Sequence, residues 1–339
     1  MPVRAREGEF IETFEGLLFD VKGLIHPPNR IIAFIRYFPD QEGNRKRGDK
    51  PYGKVYSLQK RYQLLKKRYP KYLVYDRVLD TELCEVPKRS IKKIHNPVEK
   101  LDELRKCEDP TEPEEQALRL AEYVKESSGI PWSSIGISGS IMVDTYTPNS
   151  DIDPVIYGSE NCLKAYSTLR ELLDDPSIPL QAYTQKGLKD LFHFRSKDTH
   201  MGYEDFVKTE SRKVNQGKIF QKDFFIRFVK DWKEVTQEYG DIEYQNKGYA
   251  TVRGVVADDS QSLFTPCKYY IEEAEYLEGS QKEKIQEISS FRGRFCDQAR
   301  EGEGVIAQGK VEQVTDHREN REYLRLLIGN RPEDYMILA

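Results

Sequence analysis

The stretch GISGSIMVDTYTPNSDIDPVIYG, residues 136–158, constrains this chain more than any other segment. It reads as a short apolar strand, a Gly-Ser turn, about two helical turns in SIMVDTYT, a polar turn, and a second strand over SDIDPVIYG. Residues i and i+2 of a strand share a face, so Asp151 and Asp153 are expected to converge on one point. Two such carboxylates repel unless a cation lies between them. Hard oxygen ligands in this arrangement suit Mg2+, which binds one or two carboxylates together with substrate phosphates. Gly139 lets the backbone approach a phosphate with no Cβ in the way, and Ser140 opens a helix whose unpaired N–H groups attract an anion. Taken singly, a serine before a helix is a cap and PNSD is a turn. Their strand-helix-strand order is what predicts a site for a metal-bound triphosphate.

The surroundings suggest three regions. Residues 1–106 form an expected N-terminal basic mixed α/β domain. Its strands lie over 9–38, broken at Glu15-Gly16, and its helix over SLQKRYQLLKKRYP is capped by Ser57 and closed by Pro70. CEDPTEP, residues 107–113, reads as a linker. Residues 107–235 alternate helices with short strands and end in KIFQKDFFIRFV, read as one strong strand. Residues 236–339 are strand-rich at barrel-like spacing. The fold class is therefore α+β: a central mixed sheet with helices, flanked by an N-terminal mixed domain and a C-terminal β-rich, barrel-like domain. The pentamer AREGE occurs at 5–9 and again at 299–303, and marks shared turn chemistry.

Composition narrows the class further. With 38% apolar residues but 21 Tyr and 15 Phe, the chain has large side chains to bury, and its 32% charged content suits an ion-paired surface. Five scattered cysteines without a C-x-x-C pair support neither a disulfide framework nor a zinc knuckle. MPVRAREGEF lacks the apolar run of a signal peptide and no later run is long enough to span a bilayer. A soluble, cytoplasmic protein with no membrane partner is expected. Residues 41–100 hold 17 Lys+Arg against 7 Asp+Glu in a chain of net charge −4. This basic region, interleaved with Tyr52, Tyr56, Tyr62, Tyr69, Tyr72 and Tyr75, is either an RNA-binding surface or a solvated face with core tyrosines. SFRGRF, with Arg292 and Arg294, either grips a phosphate or pairs with nearby acids.

GISGSIMVDTYTPNSDID resembles the signature of the DNA polymerase β-like nucleotidyltransferase superfamily, over about residues 113–230. EGLLFDVKGLIHPP, SDID, SLFTPCKYY and SFRGRF are similar to a group of uncharacterised archaeal predicted nucleotidyltransferases, over most of the chain. The resemblance implies transfer of an NMP from an NTP to a hydroxyl acceptor, with Gly139 and Ser140 on the phosphates and Asp151 and Asp153 on one or two Mg2+ ions. It also implies a third carboxylate on a downstream strand. Asp223 is the candidate, and Asp258 and Asp259 are alternatives that a hairpin turn also explains. An RNA end is the expected acceptor; a protein side chain, or a non-catalytic nucleic-acid-binding role on a decayed transferase fold, are the alternatives. One departure stands out: Pro154 follows the D-x-D where the superfamily has an aliphatic residue. A proline there is expected to interrupt the strand beyond Asp153.

Overall fold

Local chemistry explains most element boundaries in the computed structural model, which describes residues 3–339 except 280 and 282. The first strands are β1 (Phe10–Thr13), β2 (Leu18–Val21), β3 (Arg30–Pro39), β4 (Arg45–Arg47) and β5 (Lys50–Lys54). Gly16, at φ +80°, makes the tight return between β1 and β2 that the Glu15-Gly16 pair predicted. Helix α1 (Leu58–Arg68) starts where the Ser57 hydroxyl accepts from the Lys60 amide at 3.2 Å, and ends on Lys66, Lys67 and Arg68. After β6 (Leu73–Asp76), β7 (Thr81–Pro87) and β8 (Ile91–His95), the sheet order is β4-β5-β3-β2-β1-β8, with β7 also on β3. Leu65 of α1 and Tyr72 bury against Ile11, Phe19, Ile31, Ala33 and Ile35.

The central part follows with α2 (Pro97–Arg105), α3 (Glu112–Ser128), β9 (Ile135–Ile137), α4 (Gly139–Met142), β10 (Pro154–Tyr157) and α5 (Ser159–Asp174). Thr111 and Glu114 form the capping box of α3, and Gly129 at φ +67° ends it. Strand β10 pairs antiparallel with β9, and parallel with β14 (Arg227–Val229).

Three expectations change here. The helix after Gly-Ser is a single turn, because Asp144 takes a left-handed φ of +54° and closes it. Pro154 opens β10 instead of interrupting it, a position where its missing N–H costs least. KIFQKDFFIRFV is not one strand but a hairpin plus a strand. β12 (Gln216–Ile219) turns through Phe220 and Gln221, both at positive φ, into β13 (Lys222–Phe225), and β14 follows. Positive φ at both turn residues matches a type I′ turn, for which Phe-Gln carries no sequence signal.

The chain divides into two compact units. One joins the residues up to Val74, Leu83–Ala182 (with β11, Leu180–Gln181) and Val214–Thr236. The expected boundary at 106 falls inside it, because α2 packs on both β9 and α3, and CEDPTEP is only the bend between two packed helices. Phe10, Leu18, Tyr37 and Tyr52 of the N-terminal sheet share one apolar cluster with Met142 and Val143.

The other unit comprises Tyr75–Glu82, Tyr183–Lys213 and Gln237–Ala339. It contains α6 (Gln185–Arg195) and α7 (Tyr203–Glu210), so the expected central domain of 107–235 is shared between the two units. Its barrel strands are β15 (Ile242–Asp258), β16 (Cys267–Glu278), β17 (Ile285–Ser290), β18 (Gly304–Asp316) and β19 (Arg321–Leu327), with β20 (Tyr335–Leu338) on β18. Pairing of β15 with both β16 and β18 closes a ring in the order 15-16-17-19-18, with a parallel β17–β19 contact. That is the ring order of OB-type barrels. Val252, Tyr269, Ile288, Val311 and Leu326 fill its interior.

The two AREGE copies make the same turn, one in each unit. Glu9 and Glu303 donate their amides to the carbonyls of Arg6 and Arg300, and their carboxylates accept from those residues' amides at 3.0 and 2.8 Å. Gly8 and Gly302 supply the positive φ at the third turn position.

Candidate active site

Gly139, Ser140, Asp151, Asp153 and Asp223 all lie in the first unit, and the backbone brings them together. The Ser138 amide donates to the Asp153 carbonyl at 2.8 Å, so the end of β9 lies beside the residue that precedes β10. Gly139 sits at φ +65°, and a Cβ there would land on the Asp153 carboxylate, 2.8 Å from its Cγ. Only glycine allows that carboxylate to rest against the start of α4. The Ser140 hydroxyl beside it is buried and has no hydrogen-bond partner, and neither has the buried Thr145 hydroxyl. Orphaned buried hydroxyls are uncommon in folded proteins and mark a missing acceptor.

Asp151 and Asp153 stand immediately before β10, in the segment bridged to β13. The Ile152 amide donates to the Asp223 carbonyl at 2.9 Å, and Ile152 accepts from the Phe225 amide at 3.1 Å. Asp151 is exposed, whereas Asp153 is half-buried. Burial first, and then the Asp151 charge, push the Asp153 carboxyl up to about 6, with Arg227, Lys54 and Arg36 pulling the other way. This is the behaviour of a carboxyl drawn out of water beside a second carboxylate.

The parallel bridge between Ile152 and Phe224 sets Asp223 level with Asp151 on the neighbouring strand. Its carboxylate is exposed and turns to Lys218, its cross-strand partner, at 3.1 Å. Among the described residues, no three His, Cys, Asp or Glu side chains gather closely enough to hold a metal ion. Asp258 and Asp259 lie at the end of β15 and just after it, in the other unit, where Asp258 accepts from the Ser260 amide as a turn residue does.

Sequence reasoning missed the contribution of the N-terminal sheet. Arg45 of β4 is buried and donates to the Thr145 carbonyl at 3.2 Å and the Ser150 hydroxyl at 2.9 Å, clamping the loop that carries Asp151. Arg227 of β14 donates to Glu7 at 3.0 Å and to Asp20 at 3.3 Å. Against its own burial, the charges of Asp20, Glu7 and Asp153 hold its guanidinium firmly protonated. Arg36 is the extra residue where the β2–β3 register slips between Leu18–Tyr37 and Phe19–Ile35, and such a bulge re-aims a side chain. Its charge reaches both Asp20 and Asp153. Lys54 ends β5 opposite Tyr37, whose ring packs in the cluster that holds Met142 and Val143. The signal for these residues is a run of basic and β-prone positions without a motif. Only the tertiary fold shows that they surround the D-x-D.

The basic region divides between ion-paired and exposed positions. Besides Arg45, Arg47 and Lys92 pair with Glu12, and Lys71 with Glu15. Tyr52 and Tyr72 are core residues, while Lys60, Lys66, Lys67 and Arg68 remain exposed on α1. In the second unit, Arg292 and Arg294 of SFRGRF both pair with Asp198, at 2.7 and 2.6 Å.

An uncharacterised protein of Methanocaldococcus jannaschii is 33% identical to this chain over 343 residues, covering 99% of this chain and 98% of its own length. No protein-family model and no solved structure matches the sequence. No helix among the described residues is long and apolar enough to cross a membrane.

Proposed function

This chain belongs to the family of the uncharacterised M. jannaschii protein, and for it we propose Mg2+-dependent nucleotidyl transfer from an NTP to a hydroxyl acceptor, an RNA end. The observation that carries the reading is the conjunction at Gly139. The Asp153 carboxylate, raised by burial and by the neighbouring Asp151 charge, rests against a glycine that admits no Cβ, beside the unpartnered buried hydroxyl of Ser140.

The donor set fits a hard cation plus phosphate oxygens. Asp151 and Asp153 would hold Mg2+, with Asp223 turning from Lys218 as third carboxylate. The ion would help deprotonate the acceptor hydroxyl and neutralise charge on the leaving pyrophosphate. Ser140 donates to a phosphate oxygen and so gains the partner it lacks. Gly139 keeps the backbone low enough for the phosphate and Asp153 to share one place. Arg227, locked to Glu7 and Asp20, fixes the positive side of the site without leaving its own partners. The acceptor oxygen bonds to the α-phosphorus, the bond to the β-bridging oxygen breaks, pyrophosphate departs and the acceptor proton passes to water. The exposed lysines and arginine of α1 supply a surface for RNA phosphates.

The test is transfer of α-labelled NTPs, each in turn, to separate RNA and protein pools with Mg2+ and with EDTA. Mg2+-dependent label in RNA is expected, lost on D151N/D153N. Label confined to protein would replace the RNA acceptor with a side chain. Label in neither pool, with the aspartate variant indistinguishable, would refute transfer.

A further inference from the structure

The N-terminal sheet and the turn after β5 carry three side chains, Lys54, Arg36 and Tyr56, whose chemistry the transferase signature does not contain. Lys54 and Arg36 lie on adjoining strands, since the Val55 amide donates to the Arg36 carbonyl at 2.9 Å. Neither makes an ion pair of 4.0 Å or less with a described carboxylate, and Lys54 pairs across the strands with Tyr37, which packs on Met142 and Val143 of the segment after Gly139. Two residues past β5, Tyr56 keeps 51% of its surface exposed, unlike Tyr37 and Tyr52, which are buried on the same sheet. The Lys54 ammonium lies 4.7 Å from the centre of the Tyr56 ring. Although partial burial acts to raise the Tyr56 phenol, the charges of Lys54 and Arg45 bring it below its ordinary value. Arg45 in turn holds Ser150, next to Asp151. Hence one short turn joins an exposed aromatic ring to a cation on the sheet that packs against α4.

We propose that this turn is the seat of the nucleotide, with Lys54 and Arg36 receiving the triphosphate tail and the open surface of Tyr56 stacking on the base. The inference rests on the nucleotidyltransferase reading and deepens it by assigning to the N-terminal sheet the choice of a nucleotide over a bare polyphosphate. Placement favours it. A triphosphate lying between Ser140 and Lys54 would give the orphaned hydroxyl an acceptor and bring phosphate oxygens to two cations without a close ion pair. The base would then extend away from the D-x-D toward solvent, where Tyr56 stands. A ring stacks on any base with similar strength, so the assignment also predicts weak discrimination among the four nucleotides at this contact.

The test is calorimetric titration of the full chain with Mg2+ plus ATP, and separately with Mg2+ plus tripolyphosphate. Expected is that Tyr56→Ala weakens ATP about tenfold and leaves tripolyphosphate unchanged, a loss within the range for one base–aromatic stack. Tyr56→Phe retains wild-type affinity, and Lys54→Met weakens both ligands about tenfold. An unchanged ATP affinity in Tyr56→Ala, equal losses for both ligands in that variant, or unchanged affinities in Lys54→Met overturns the proposal while leaving the transferase reading in place. Failure of the wild-type chain to bind either ligand, matched by D151N/D153N, refutes the parent reading and this one with it. Tyr56 is exposed and outside the core clusters, so its variants fold and each result is interpretable.

Discussion

Replacing Gly139 by alanine tests the geometry of the site without touching a charge. The left-handed φ of +65° costs an alanine about 1–2 kcal/mol. The new Cβ would also overlap the Asp153 carboxylate, at 2.8 Å from its Cγ and 3.0 Å from its Cβ, contacts closer than real Cβ atoms tolerate comfortably. Overpacking of this kind costs about 1–3 kcal/mol, so the sum is about 2–5 kcal/mol. The second part depends on Asp153 and the first does not. In an Asp153→Ala background the carboxylate is gone, and Gly139→Ala should cost only the backbone share of about 1–2 kcal/mol. Urea denaturation of the four proteins in EDTA closes the cycle, with a coupling of about 1–3 kcal/mol expected. Coupling below about 0.5 kcal/mol would show that glycine at 139 serves the turn alone. The reasoning that links it to the carboxylate would then fail.

Glu9 offers a pH test away from the site. Burial raises its carboxyl from 4.5 to about 7, despite the Arg6 amide and charge. A raised carboxyl favours the folded state below pH 4.5, and that contribution fades as pH rises through 7. Glu9→Gln should therefore gain on wild type between pH 4.5 and 8, by up to about 3 kcal/mol, in thermal denaturation followed across that range. Arg45→Met removes the hydrogen bonds to Thr145 and Ser150, and should cost about 2–4 kcal/mol. It should also speed amide hydrogen exchange at 145–151, and unchanged exchange there would contradict the clamp. In the barrel, the buried Tyr269 hydroxyl donates to the Phe295 carbonyl and accepts from the Gln298 amide at 2.8 Å. Tyr269→Phe leaves both groups short of a partner, and a loss of about 1–3 kcal/mol in urea denaturation is expected.

The parts of this structure that were legible in the sequence are those written in local chemistry. Ser57 and Gly16 announce their cap and turn because each satisfies backbone groups within a few residues, whereas the Thr111–Glu114 box lies in a stretch that reads as a linker. Apolar alternation likewise exposed the strands on either side of Gly139. Three things were hidden for physical reasons. The Phe220-Gln221 turn adopts a conformation usually given to Asn-Gly, so tertiary pairing of β12 with β13 outweighs local preference. Asp144 ends α4 in a left-handed state that no breaker residue announces. Arg36, Lys54 and Arg227 are remote in sequence from Asp153; packing of the N-terminal sheet against α4 brings the first two near it, and the parallel pairing of β14 with β10 brings the third.

That last point bears on where a polyanionic acceptor can be met. An OB-type ring order is shared by many nucleic-acid-binding barrels, but fold alone does not confer the activity. Residues 237–339 hold 13 Lys+Arg against 20 Asp+Glu, a net charge of −7. On β16 the exposed positions include Glu272, Glu273, Glu275 and Glu278. Phosphate backbones bind through neutralising cations, and a strand face of glutamates opposes them at every step. Exposed cations of the first unit lie on the N-terminal sheet and on α1, which packs on the sheet face opposite to the one that meets α4. An acceptor RNA would therefore be held by the same unit that holds the D-x-D, and the barrel face of β16 would repel it. Charge reversal at Glu272, Glu273 and Glu275 should then raise nonspecific RNA binding in low salt while leaving transfer to a short acceptor unaltered. A loss of transfer in that variant would place the acceptor on the barrel after all.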